Sequence, residues 1–250
     1  MQEKMIKNFK LVVEYDGSAY HGWQRQKNDT TIQAIIEASL KKITGEKIIL
    51  NGSGRTDAGV HALAQTANFR CSTGLNSSIF HKALNSLLPD DIVIKECEEV
   101  TVDFHARFCA KSKTYRYRIL NREIPSAIHR RHAWFIRRRL DVDAMRPAAA
   151  HLEGTHDFKS FEAAGSPRAH TVRTVMRLDM TSDADGFLLI DIEADGFLRC
   201  MVRNIVGTLV HVGLSKLQPT DMIRLIESRD RNQAGPTAPA HGLFLKQVHY

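Results

Sequence analysis

The sequence predicts an α+β fold, and two observations predict it. Residues 8–100 alternate as strand, helix, strand, strand, helix, strand. That order is the ferredoxin-like βαββαβ arrangement, an antiparallel sheet with both helices on one face. The remainder follows a looser version of the same order: strand, helix, hairpin, helix, strand. The expected division is an N-terminal half over 1–105 and a C-terminal half over 106–250.

Each element has a local reason. Asn8 to Tyr15 is rich in Val, Tyr and Phe and reads as a strand ending in the turn Asp16-Gly17-Ser18. Thr30 or Thr31 caps a helix with apolar residues at Ile32, Ile35, Ile36, Leu40 and Ile43, stopped by Gly45. Lys47–Asn51 and Ala64–Arg70 read as strands. Asn76 caps a helix carrying Ile79, Phe80, Ala83, Leu84 and Leu87, which Pro89 ends, and Asp91–Val100 is a further strand. The sheet face opposite the helices is expected to be free.

In the second half, Arg107–Leu120 reads as a long strand and His132–Ile136 as a short one. Asp141 caps a helix expected to stop at Gly154. Thr171–Met180 and Phe187–Ala194 form a hairpin. Leu198, Met201, Val202, Ile205, Val206, Leu209 and Val212 make one apolar helical stripe, with Arg199 and Arg203 on the polar side. Pro219–Arg229 is another helix, Gln233–His241 a loop, and Leu243–Tyr250 a last strand.

The chain has 250 residues, 43% hydrophobic and 25% charged, a folded profile with ample core material. It has no apolar run of membrane-spanning length. Met1-Gln2-Glu3-Lys4 has no signal core, so a cytoplasmic location is expected. Cys71, Cys97, Cys109 and Cys200 are widely spaced, which argues for reduced thiols rather than a disulfide frame or a zinc ribbon. The twelve histidines have no metal-ligand spacing, and no metal is expected.

The net charge of +7, with His129-Arg130-Arg131 and Arg137-Arg138-Arg139 as the densest clusters, suggests a polyanionic partner. A plain solvated basic face would look the same. Tyr115-Arg116-Tyr117-Arg118 alternates on a strand, so the rings share one face and the guanidiniums the other. That pattern suits RNA, with rings for bases and guanidiniums for phosphates, or a core strand with a solvated outer face. Tyr20 to Gln26 is dense in aromatic and amide groups. It suits a stacked base, or it is an aromatic plug under a loop.

One loop draws the rest together: Gly54-Arg55-Thr56-Asp57-Ala58-Gly59-Val60-His61. Its glycines put Asp57 on a backbone-rich turn within reach of a substrate. An aspartate bonding its own backbone in the turn is the plainer alternative.

With Glu14-Tyr15-Asp16-Gly17, Tyr20-His21-Gly22-Trp23-Gln24-Arg25-Gln26, the Asp57 loop, Phe104-His105-Ala106-Arg107-Phe108, Tyr115-Arg116-Tyr117 and Met201-Val202-Arg203-Asn204-Ile205-Val206-Gly207, the chain resembles the family of tRNA pseudouridine synthase A over nearly its whole length. The resemblance implies two ferredoxin-like halves whose antiparallel sheets join across a central cleft that holds the active site. It implies a homodimer, tRNA as partner, and conversion of uridines 38, 39 and 40 of the anticodon stem-loop to pseudouridine without a cofactor. By motif match Asp57 is the catalytic aspartate and Tyr115 the ring on the target base. Arg55 lies near the extruded nucleotide, and Arg203 is the basic partner of Asp57. Cys200 departs from the family, which carries His before Met201.

The implied chemistry suits the loop. Uracil must leave C1′, rotate and rejoin through C5. A carboxylate can stabilise or capture the positive charge that builds at C1′. Attack on the sugar, attack on the base and removal of a sugar proton all remain open to Asp57. Two rival classes share some of these features. A non-catalytic RNA-binding module would leave the loop idle, and a nucleoside hydrolase needs a second acid, for which Asp16 is the candidate.

Overall fold

The structure is a computed structural model and describes residues 6–163, 165 and 170–250; the Met1–Lys4 stretch considered above lies outside these. Among the described residues it has ten strands and five α-helices, an α+β fold with mixed strand pairing. The chain divides into two units, 1–111 with 245–250, and 112–244. The division thus falls six residues beyond the expected 105/106 boundary, and the last six residues belong with the first unit.

In the first unit, β1 (Ile6–Tyr15) runs between β3 (His61–Ser72) and β4 (Ile92–Val100), antiparallel to both. The register sets Phe9 opposite Phe69 and Leu11 opposite Ala67. Phe80 of α2 (Ser77–Leu87) completes a ring cluster, 4.7 Å from Phe9 and 5.2 Å from Phe69 between centroids. Asn76 caps α2 as expected, its Oδ1 accepting from the Ile79 amide at 3.0 Å.

α1 (Ile32–Thr44) buries Ile32, Ile36 and Leu40 completely. Thr31 takes the cap position without a side-chain bond. The first amides of α1 go instead to the preceding loop: Ile32 N–H to Gly22 O and Gln33 N–H to Trp23 O. That exchange fixes the 20–26 loop to the helix start.

Two expectations fail here for identifiable reasons. Of the strand expected over 47–51, only Asn51 pairs with β3, as part of the two-residue β2 (Asn51–Gly52). Leu50 is held by side chains of α1 instead: its amide donates to Glu37 Oε1 at 3.0 Å and its carbonyl accepts from Gln33 Nε2 at 2.9 Å. The sheet face away from the helices is not free either. Asn8 Nδ2 donates to the Thr101 and Phe104 carbonyls, and Asn68 Oδ1 accepts from the Ala106 amide. The 101–106 segment therefore lies over that face. Leu245–His249 of β10 (Leu243–His249) flank β3.

In the second unit the strand order is β5 (Ser112–Asn121), β9 (Phe187–Ala194), β8 (Val172–Ser182), β7 (Gly154–Asp157), with β6 (Trp134–Ile136) parallel to β5. β5 starts five residues later than expected because 105–109 closes a turn, the Cys109 amide donating to His105 O. Asp141 caps α3 (Val142–Ala150) through the Ala144 amide. α3 ends four residues before Gly154, which opens β7 instead. α4 (Met201–Gly213) is buried almost all round, and α5 spans Asp221–Ser228. The four cysteines are free thiols, and burial pushes Cys71 up to about 11. Among the described residues no helix is long and apolar enough to cross a membrane.

Candidate active site

Asp57 sits in the turn between β2 and β3, half-buried. Its neighbours are tied on both sides. Ser53 donates its amide to Thr66 O and its hydroxyl to Gln65 Oε1 at 2.7 Å. Gln65 Nε2 in turn donates to Gly54 O at 3.0 Å. The Thr56 hydroxyl meets the buried Tyr15 hydroxyl at 2.8 Å. Burial pushes the Tyr15 phenol well above its ordinary value, so it stays protonated in that contact.

The 20–23 segment completes the frame. Trp23 N–H donates to Thr56 O at 3.1 Å, and Gly59 N–H donates to Tyr20 O. The turn closes on itself through Val60 N–H to the Asp57 carbonyl. A carboxylate on a loop with so many backbone anchors is held in place by its surroundings, which is what a reactive group requires.

Gly22 is the tightest of these contacts. Its φ is +90°, and a Cβ there would lie 2.5 Å from Thr56 O and 3.1 Å from the Asp57 carbonyl carbon. Gly22→Ala should therefore destabilise the first unit by at least roughly 1–2 kcal/mol, read as a lower urea midpoint. An unchanged midpoint would mean that the 22–57 packing is loose.

Trp23 is buried, and the Tyr20 hydroxyl donates to Asp91 Oδ1 at 2.5 Å. The aromatic loop is thus a plug that supports Asp57. Arg55 is exposed, and Gln24 Oε1 accepts from its Nε at 3.0 Å. Asp16, the second acid a hydrolase would need, is committed to its own turn. Its Oδ1 accepts from Ser18 N–H at 2.9 Å and lies 3.0 Å from Nδ1 of buried His61.

In the second unit Tyr115 and Tyr117 do share a face of β5, opposite Ile192 and Ile190. Tyr117 is fully buried and donates to Pro239 O at 2.7 Å. Tyr115 is 7% exposed, with its ring edge-on to Phe197 at 5.0 Å. The guanidiniums behind them have partners within the unit. Arg116 makes two 2.8 Å bonds to Asp191, and Arg118 stacks 4.9 Å from Phe187 and 5.7 Å from Phe244.

Arg203 stands in the first turn of α4. The helical wheel leaves it in solvent, yet it is half-buried. Its Nε donates to Ala238 O at 2.7 Å, and its own carbonyl accepts from Ala238 N–H at 3.1 Å. The wheel misleads because α4 is covered on its polar side too, by the 234–239 loop. Cys200 precedes the helix with φ +60°, its Sγ 3.9 Å from Nη1 of Arg203.

The model of the tRNA pseudouridine synthase family matches residues 11–109 and 148–250. The chain belongs to that family. Its Asp57, Arg55 and Arg203 fall inside the two matched segments, while Tyr115 and the arginines of 130–139 fall between them. Among curated relatives in the family, tRNA pseudouridine synthase A of Acetivibrio thermocellus is 49% identical over 98% of this chain and 100% of its own length. Those of Thermoanaerobacter sp. strain X514 and Clostridium tetani (there named tRNA pseudouridine synthase A 2) are each 47% identical, with the same coverage of both chains.

The support of the site was not legible in advance. Gln65 belongs to none of the motifs, Tyr15 and Gln24 lie in motifs with no local sign that they reach the loop, and the Tyr15–Thr56 contact spans 41 residues.

Proposed function

We propose that this chain converts uridine to pseudouridine at positions 38, 39 and 40 of the tRNA anticodon stem-loop, without a cofactor. Asp57 is the catalytic carboxylate, and Tyr115, Arg55 and Arg203 bind the substrate. The observation that carries the reading is the Asp57 loop itself. In a member of this family, one acid stands on a turn that Gln65, Thr56, Gly59 and Val60 all pin. The commitment of Asp16 to its own turn speaks against the paired acids of a hydrolase.

The bond balance sets the assay. The N1–C1′ bond breaks, the C5–C1′ bond forms, and the hydrogen on C5 leaves to solvent. tRNA carrying tritium at C5 of its uridines should therefore release tritium into water as pseudouridine forms. Labelled free uracil would indicate a hydrolase, and no release a binding module.

The same reading includes two ferredoxin-like halves, the first carrying the Asp57 loop. It also includes a homodimer acting in the cytoplasm, which sedimentation of the free protein and of its tRNA complex would test.

The basic clusters supply a second measurement. Arg130, Arg131, Arg137, Arg138 and Arg139 are all exposed, and Arg137–Arg139 line one side of a groove of about 800 Å³. The groove also carries the acids Glu123, Asp141, Asp143 and Asp183, and the Arg137–Glu123 pair, 3.8 Å apart, is 74% and 82% exposed, so solvent screens it. Replacing the five arginines by Gln should flatten the plot of log K for tRNA against log salt. The change is about 0.9 per lost duplex phosphate contact and about 0.7 per single-strand contact. An unchanged slope would make the cluster an ordinary solvated face.

A further inference from the structure

Arg231 lies far from every motif of the sequence, yet it is the centre of a polar knot against α4. Its Nη1 donates to the carbonyls of Ala234 at 3.3 Å and Gly235 at 2.9 Å. Its Nη2 donates to Asn204 Oδ1 and to Thr237 Oγ1, both at 3.0 Å. The Thr237 hydroxyl donates onward to Asn204 Oδ1 at 2.7 Å. Asn204 is fully buried, and its Nδ2 is held by Phe161 O at 2.7 Å, so its amide has one orientation. Thr208 closes the knot, accepting from Gly235 N–H and donating to Asn204 O.

The knot clamps a stretch with no secondary structure of its own. Residues 234–239 lie directly on the α4 backbone, so closely that a Cβ at Gly207 would sit 1.7 Å from Pro236 O. Ala238, two residues after Pro236, makes the two-point contact with Arg203 described above. Arg203 is one helix position before Asn204. The clamped loop thus begins at Arg231 and ends at the acceptor of Arg203 Nε.

We propose that Arg231 is a positioning residue for Arg203: by fixing the 234–238 loop on α4 it sets the Ala238 carbonyl that orients the Arg203 guanidinium. The inference rests on the assignment of Arg203 to substrate binding. A free arginine side chain spreads over many rotamers, and about 2 kcal/mol of rotamer entropy is at stake when it is ordered. A guanidinium held at Nε by a fixed carbonyl has lost most of that freedom before substrate arrives. Only a planar fork meets four acceptors at once, two backbone carbonyls on one nitrogen and two side-chain oxygens on the other. Lysine cannot reproduce that pattern.

The test is a double-mutant cycle in kcat/KM on C5-tritiated tRNA, with the full chain and melting temperature followed in parallel. Arg231→Met should lower kcat/KM about tenfold or more in the wild-type background and less than about twofold when Arg203 is already Ala. The fall in melting temperature should be the same in both backgrounds. Arg231→Lys should recover little. If Arg231→Met does not fold, Thr237→Val removes the two Thr237 hydroxyl bonds while leaving Arg231 in place, and should show a smaller loss with the same dependence on Arg203. Equal losses in both backgrounds, or none in either, would overturn the proposal alone. A silent Arg203→Ala would instead overturn the substrate-binding role of Arg203, and the proposal with it.

Discussion

Asp57→Asn should abolish tritium release from C5-labelled tRNA, by about a thousandfold or more, while tRNA affinity stays within a few-fold of wild type. Asparagine keeps the size and shape of the side chain. The turn survives, because its closing bond uses the Asp57 backbone carbonyl rather than the carboxylate. The loop anchors through Ser53, Gly54, Thr56 and Gly59 are likewise untouched. Melting temperature followed in parallel separates any change in stability from the loss of chemistry. A neutral amide can neither offset positive charge at C1′ nor attack or take a proton. Single-turnover release with equilibrium binding on the same tRNA checks both halves. Residual turnover within about tenfold of wild type would remove Asp57 from the catalytic role.

Much of the fold was legible because its signals are local. Asn76 and Asp141 cap their helices with the side-chain bonds their residue types favour, and β9 has the bounds its apolar run suggests. In several of the failures a distant group outbid the local preference. The 47–50 stretch has strand composition, but Gln33 and Glu37 take the Leu50 backbone. From the sequence the sheet face opposite the helices is expected to be free, yet Asn8 and Asn68 on it bind the backbone of 101–106. At the site, Asp57 and Arg55 could be picked out because glycines bracket them. The groups that hold the loop come from β1, the 20–26 loop and β3, and nothing local to Asp57 announces them. Arg203 shows the limit of periodicity most clearly. A helical wheel ranks faces by apolarity, and cannot see that a loop of Gly, Pro, Thr and Ala covers the polar one.

Tyr115 gives the second large effect, and its burial decides how the effect must be measured. The side chain is 7% exposed and packs edge-on against Phe197. Tyr115→Ala therefore removes two things at once. Emptying a buried aromatic site costs about 3–5 kcal/mol of stability, and a lost base–ring stack costs about 1–3 kcal/mol of binding. Three variants separate them. Tyr115→Phe keeps the ring, loses only the hydroxyl, and should retain most of kcat/KM. Tyr115→Leu fills much of the space without a π-face, so it should restore much of the stability lost in Tyr115→Ala but little of the activity. The expected order of kcat/KM is thus Tyr, Phe, then a drop of about ten- to a hundredfold to Leu and Ala together. The expected order of melting temperature differs, with Leu well above Ala. If activity instead followed stability across the four side chains, Tyr115 would be a packing residue of β5 and its stacking role would fall.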